Sequence, residues 1–121
     1  MCGLPNKGSY ITHMNKLIKL EEDNLDTLMD HENLIVVFSR ESCGACVKNN
    51  KNLIKLDKKY KIVLVDPIRH PKSTRFMPMP IDFFPKMGLF NRGYFKKELS
   101  QTNIINQTID IIWFYLPTLA G

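Results

Sequence analysis

Apolar and polar positions along the chain change period several times, and each change marks an element. Leu17–Leu20 is a short alternating run that reads as an opening strand. Asp23 or Asn24 is placed to cap a helix through Leu25, Leu28 and Met29, which Glu32–Asn33 ends. Leu34–Phe38 is an unbroken apolar, β-branched run bounded by polar residues, as in a strand buried on both faces. After a polar corner at Ser39–Ser42 the period becomes helical. Val47, Leu53, Ile54 and Leu56 are apolar among lysines and asparagines, and Asp57–Tyr60 is expected to close this helix. Ile62–Val65 is a further β-branched strand that stops at Asp66–Pro67.

The second half is more broken. Ile68–Asp82 contains Pro71, Pro78 and Pro80, which leaves room only for a short helical turn near Ser73–Phe76. Lys86–Phe90, the turn Asn91–Arg92–Gly93 and Tyr94–Lys97 form a hairpin pattern. Ser100 or Thr102 caps a last helix with the apolar stripe Ile105, Ile109, Ile112, Trp113 and Leu116, stopped by Pro117. Strands and helices alternate as far as Asp66, which argues for an α/β protein with parallel strands joined by helical crossovers.

Length changes this picture little: 121 residues suit one domain with a core of its own. Residues 1–14 read as a flexible leader, 15–117 as the domain and 118–121 as a tail, with Cys2 an isolated thiol in the leader. The net charge of +5 admits an acidic partner, but the lysines are dispersed. Lys48, Lys51, Lys55 and Lys59 fall on one helix face, as a solvated surface does, and no aromatic-interleaved basic motif points to nucleic acid. The longest apolar run, Ile111–Leu116, is far too short to span a bilayer, so no membrane partner is expected. Nothing near the start resembles a signal peptide and the cysteine count is odd, so a reducing cytoplasm is the expected compartment.

Candidate chemistry concentrates at Cys43–Gly44–Ala45–Cys46, where the central strand hands over to a helix. The first turn of a helix leaves N–H groups unpaired and carries partial positive charge, so a thiol there ionises more easily. Two cysteines three apart on such a turn are within reach of a disulfide, with Cys43 the more exposed of the two. Zinc needs four ligands, and after Cys46 the chain offers only His70, while Cys2, His13 and His31 lack ligand spacing, so no metal is expected.

These elements together resemble the thioredoxin family. The resemblance rests on the strand Leu34–Ser39, the C-G-x-C at Cys43–Cys46, and a strand ending at Asp66. It also includes Pro85 with Phe90 and Gly93, in the pattern P-x-x-x-x-F-x-x-G before the final helix. It covers about Asn15–Leu116 and includes the opening strand and helix that glutaredoxins lack.

The resemblance implies a thioredoxin fold, a central mixed sheet of four to five strands flanked by helices, and reduction of protein disulfides by a thiol–disulfide oxidoreductase. Cys43 would attack and Cys46 resolve; no cofactor beyond the redox-active Cys43–Cys46 disulfide is implied. Partners would be disulfide-containing proteins and a reductase or other electron donor, in the service of cell redox homeostasis. Pro85 would be a cis-proline opposite the cysteines. With Phe84, Ser42, Gly44 and Ala45 it would shape the substrate groove.

The chain departs from the family at Ser42 (usually Trp), Val37 (usually a buried Asp), Ala45 (usually Pro) and Lys51 (usually Pro). Without an acid at Val37, Asp66 or water would take the Cys46 proton, while Arg40 would favour and Glu41 oppose the Cys43 thiolate. A disulfide oxidase or isomerase, and a non-catalytic adaptor that binds a partner through the Phe84–Pro85 groove, remain alternatives.

Overall fold

A computed structural model describes residues 15–110 of the chain. The apolar run Leu34–Phe38 becomes strand β2, and all of it is buried because it lies mid-sheet with both faces covered. The other strands are β1 (Leu17–Lys19), β3 (Lys61–Val65), β4 (Lys86–Asn91) and β5 (Tyr94–Leu99), in the spatial order β1-β3-β2-β4-β5. β1 and β2 each pair parallel with β3, whereas β2–β4 and β4–β5 are antiparallel, so the five-stranded sheet is mixed. Helix α1 spans Gly44–Leu53 and α2 spans Gln101–Asn106; 3₁₀ turns occupy Leu28–Asp30 and Pro71–Phe76.

Alternation along the strands divides the core. Ile35, Val37, Ile62, Met87 and Leu89 face one way and pack with Leu53 of α1 and Ile104 of α2. Leu34, Val36, Phe38, Val63 and Phe90 face the other way, against Leu25, Met29 and Met77 from the two 3₁₀ regions. On that second face Gly88 is closely packed: a Cβ there would lie 3.0 Å from Met77 Sδ and from Phe90 Cε1, so those side chains would have to shift to admit one. The hairpin expected at Asn91–Gly93 is present, and Arg92 and Gly93 both take positive φ (48° and 86°), as a two-residue hairpin turn demands.

Four expectations are corrected. The helix through Leu25, Leu28 and Met29 is only a 3₁₀ turn, because both candidate caps are engaged elsewhere. The Asp23 carboxylate accepts from the Lys72 and Ser73 N–H groups and the Ser73 hydroxyl at 2.7–2.8 Å, and Asn24 Oδ1 accepts from Asp26 N–H at 3.0 Å. Helix α1 stops at Leu53 rather than near Tyr60. Lys55 and Leu56 bond back to Asn52 and Leu53 in a tightened turn, and Asp57 accepts from the Lys59 and Tyr60 N–H groups, which swings Leu56 and Tyr60 into the core.

Val47 is exposed and not part of the inward stripe, which runs through Cys46, Asn49 and Leu53. Finally, α2 ends at Asn106, where Gln107 turns left-handed (φ 54°), and it buries Ile104 while leaving Ile105 exposed. Ser100 is its cap, in a reciprocal capping box with Asn103. The leader with Cys2, the Ile112–Trp113–Leu116 stripe, Pro117 and the tail lie outside the described residues. No helix among those described is long and apolar enough to cross a membrane.

Candidate functional site

The C-terminal ends of β2 and β3 and the start of β4 converge on the cysteine pair. Cys43 is the N-cap of α1, in extended backbone, and its sulfur accepts the Cys46 N–H at 3.1 Å. Ser, Thr, Asp or Asn ordinarily makes that contact; here sulfur does. An N–H donor and the positive end of a helix are surroundings that stabilise a thiolate over a thiol. Cys43 and Cys46 are joined as a disulfide with Cα atoms 5.2 Å apart. Cys43 is partly exposed and Cys46 is buried, which orders them as outer and inner sulfur.

Phe84–Pro85 is a cis peptide, and the Phe84 carbonyl oxygen lies 3.9 Å from Cys43 Sγ. Pro85 is buried and Phe84 half-buried, while Ser42, Gly44 and Ala45 are exposed around the sulfurs. The fold thus brings Phe84, which precedes Pro85, next to Cys43, whose chain neighbours are Ser42, Gly44 and Ala45. Val37 is fully buried in the core on the α1 side of the sheet, so no carboxylate comes from that position.

On the other side of the disulfide a cleft of about 200 Å³ opens at the ends of the parallel strands, lined by Cys46, Asp66, Arg40, Glu41, Arg69 and His70 among others. Asp66 also ends β3, its carboxylate accepting the Ile68 N–H at 3.0 Å. Arg40 is exposed, and Glu41 is engaged with Arg69 at 3.9 Å, both largely in water, so this pair contributes little. His70 is buried, with Nε2 3.2 Å from the Glu21 carbonyl. Behind the disulfide, Asn49 of α1 is also buried, its amide donating toward Met87 Sδ at 3.2 Å.

Sequence reasoning missed Arg69 and His70, which line the cleft and which no motif marks, and the exposed apolar residues Val47, on the cleft, and Phe83, one position before Phe84 in the chain. The doublet Phe83–Phe84 before a proline was a usable signal for the last. No three His, Cys, Asp or Glu side chains among the described residues are grouped to hold a metal ion.

No protein-family model matches the sequence, and a search of curated protein sequences gives no match. Solved structures do match. The oxidised thioredoxin of Plasmodium falciparum superposes with a TM-score of 0.65 at 18% identity, over 80% of this chain and 98% of that one. Thioredoxin from Trypanosoma brucei brucei gives 0.64 at 13% identity, over 80% and 91%. Thioredoxin O2 of Arabidopsis thaliana gives 0.60 at 14%, over 83% and 93%. The chain has the thioredoxin fold. The five-stranded mixed sheet, the disulfide at the head of α1 and the cis-proline opposite it are the expected parts of that fold. The thioredoxin-like site here is built with Ser42, Ala45 and an apolar Val37 at the positions of departure.

Proposed function

We propose that this chain is a thiol–disulfide oxidoreductase of the thioredoxin type that reduces disulfides in proteins. The observation that carries the reading is the Cys43–Cys46 disulfide at the N-terminus of α1, with the Cys46 N–H on Cys43 Sγ and the Phe84 carbonyl beside it.

In the reduced protein the Cys43 thiolate attacks one sulfur of a substrate disulfide, forming a mixed disulfide and expelling the other substrate sulfur as a thiolate that takes up a proton. Cys46 then loses its proton and attacks Cys43 Sγ. The mixed disulfide breaks, the second substrate sulfur leaves as a thiol, and two electrons have passed from the cysteine pair to the substrate. Asp66, which lines the same cleft as Cys46, is the carboxylate to receive the Cys46 proton through water. A reductase or a dithiol donor must return two electrons to close the cycle. A reducing compartment such as the cytoplasm suits this direction.

Reduction of insulin disulfides with dithiothreitol as donor tests the proposal. Turnover by the wild-type protein, lost in Cys43→Ser, supports it; absence of turnover with thiols that remain freely oxidisable favours an adaptor. Equilibration with glutathione fixes direction: a potential near or below about −220 mV fits a reductase, and one near −120 mV an oxidase.

A further inference from the structure

Lys86, the residue after cis-Pro85, has no part in the exchange chemistry above, yet its surroundings are unusual for a lysine. Its side chain is 6% exposed. Strand alternation puts it on the face away from α1, and its ammonium makes three contacts there. Nζ lies 3.1 Å from Asp82 Oδ1, 3.4 Å from Glu98 Oε2 on β5, and 4.3 Å from the centre of the Phe83 ring.

Asp82 and Phe83 belong to the segment that leads into the cis bond, one residue from the Phe84 carbonyl that flanks Cys43 Sγ. Lys86 therefore ties that segment to the sheet through its charge and through the ring face. Burial acts to lower the pKa of the ammonium, but the hydrogen bond it donates to Asp82 and the fields of Glu98 and Asp82 hold it above the ordinary lysine value. It is charged throughout the pH range of thiol exchange.

A buried ammonium is an expensive way to fill space, and an apolar side chain of similar length commonly serves as well. The carboxylate partners are 67% and 37% exposed, so only Lys86 has surrendered its hydration. Stability alone does not explain a lysine here. Phe83, by contrast, keeps 51% of its surface in solvent despite being held by the ammonium.

We propose that Lys86 is a positioning residue of the exchange site: its ammonium fixes Asp82 and Phe83, so that the exposed Phe83 ring receives an apolar side chain beside the reacting cysteine of a protein substrate. This inference rests on the exchange activity proposed above and adds the class of substrate it prefers.

Two cyclic disulfide peptides, identical except for Leu or Ser next to the reacting cysteine, test it, with hydroxyethyl disulfide as a substrate that has no side chain to read. The wild-type protein is expected to show a KM about tenfold lower for the Leu peptide, with similar kcat for both. In Phe83→Ala and in Lys86→Met the Leu-over-Ser ratio falls to near one, and in Lys86→Arg, which keeps the charge and can lie on the ring, it returns. The ratio is internal to each variant and does not depend on how much protein is active. Phe83→Ala, a surface change, decides the matter should Lys86→Met fail to fold.

Wild-type protein that reduces hydroxyethyl disulfide and both peptides without preference, or a preference that survives in Phe83→Ala, overturns the inference and leaves the exchange reading intact. Failure to reduce any of the three overturns the exchange reading itself.

Discussion

The two ends of the central sheet are put to different uses. At the C-terminal ends of β2 and β3 the chain leaves a disulfide, a polar cleft and an exposed ring in solvent. At the opposite end, polar groups are tied to one another. Lys59 meets Asp110 at 2.8 Å, the Tyr60 hydroxyl donates to the same carboxylate at 2.5 Å, and Lys97 donates to the Ile109 carbonyl. The hairpin tip is pinned there as well, Arg92 N–H reaching the His31 carbonyl at 2.9 Å and its guanidinium reaching Glu32 at 2.9 Å. One sheet thus presents unspent reactivity at one edge of its strands and closed polar networks at the other. Changes at the first end should alter rates, and changes at the second should alter stability.

The comparison breaks most visibly at Cys43. Cys43→Ser should lower disulfide-reduction rates by about a thousandfold or more, measured by insulin turbidity, because serine cannot attack a disulfide. Cys46→Ser should instead accumulate a mixed disulfide with substrate, visible as a mass increase by electrospray.

Asp66→Asn should slow turnover by about tenfold at neutral pH if Asp66 receives the Cys46 proton, with the mixed disulfide persisting longer in quench experiments. An unchanged resolving rate would remove Asp66 from the mechanism.

At the far end, Tyr60→Phe should reduce unfolding free energy by about 1 kcal/mol in urea, the low side for a bond to a charged group because Asp110 is half in water, while leaving reduction rates alone. Burial acts to raise the Asp110 pKa, but hydrogen bonds from Lys59 and Tyr60 outweigh it and hold the carboxyl below its ordinary value. The stabilisation is therefore complete above the unfolded carboxylate value, about 4, and is lost as pH falls through the lower folded value. Asp110→Asn should remove that acid-side loss from the stability profile. The same lock pushes Tyr60 ionisation up, through burial first and then the Asp110 hydrogen bond.

Smallest of all, Glu32→Ala should change stability by no more than about 0.5 kcal/mol, since Arg92 and Glu32 are both mostly exposed.

Much of this plan was legible in the residue order. Leu34–Phe38 reads as a buried strand because nothing in it is polar, the Asn91–Gly93 turn announces its hairpin, and Ser100 announces its helix. The cysteine pair and Pro85 are local motifs, and the structure places them face to face.

What could not be read depends on partners distant in sequence. Asp23 looks like a helix cap until Lys72 and Ser73 fold onto it, and Lys86 looks like an ordinary strand lysine until β5 brings Glu98 beside it. The cleft is also a product of assembly, made by the ends of β1, β2 and β3 with the chain that leaves them. The end of α1 was missed for a different reason: Asp57 turns the chain through its own side chain, a local preference that the apolar spacing around it masks.

The two cysteines are only three positions apart, and the bond between them closes a ring within one helical turn. Neither core cluster is threaded through that ring, so opening it releases no strand and exposes no interior surface. Oxidised and reduced molecules should therefore share one architecture and differ chiefly at the head of α1. On the proposed exchange activity, the electron pair would be handed on without refolding, and a target would meet two forms that differ in local chemistry rather than in shape.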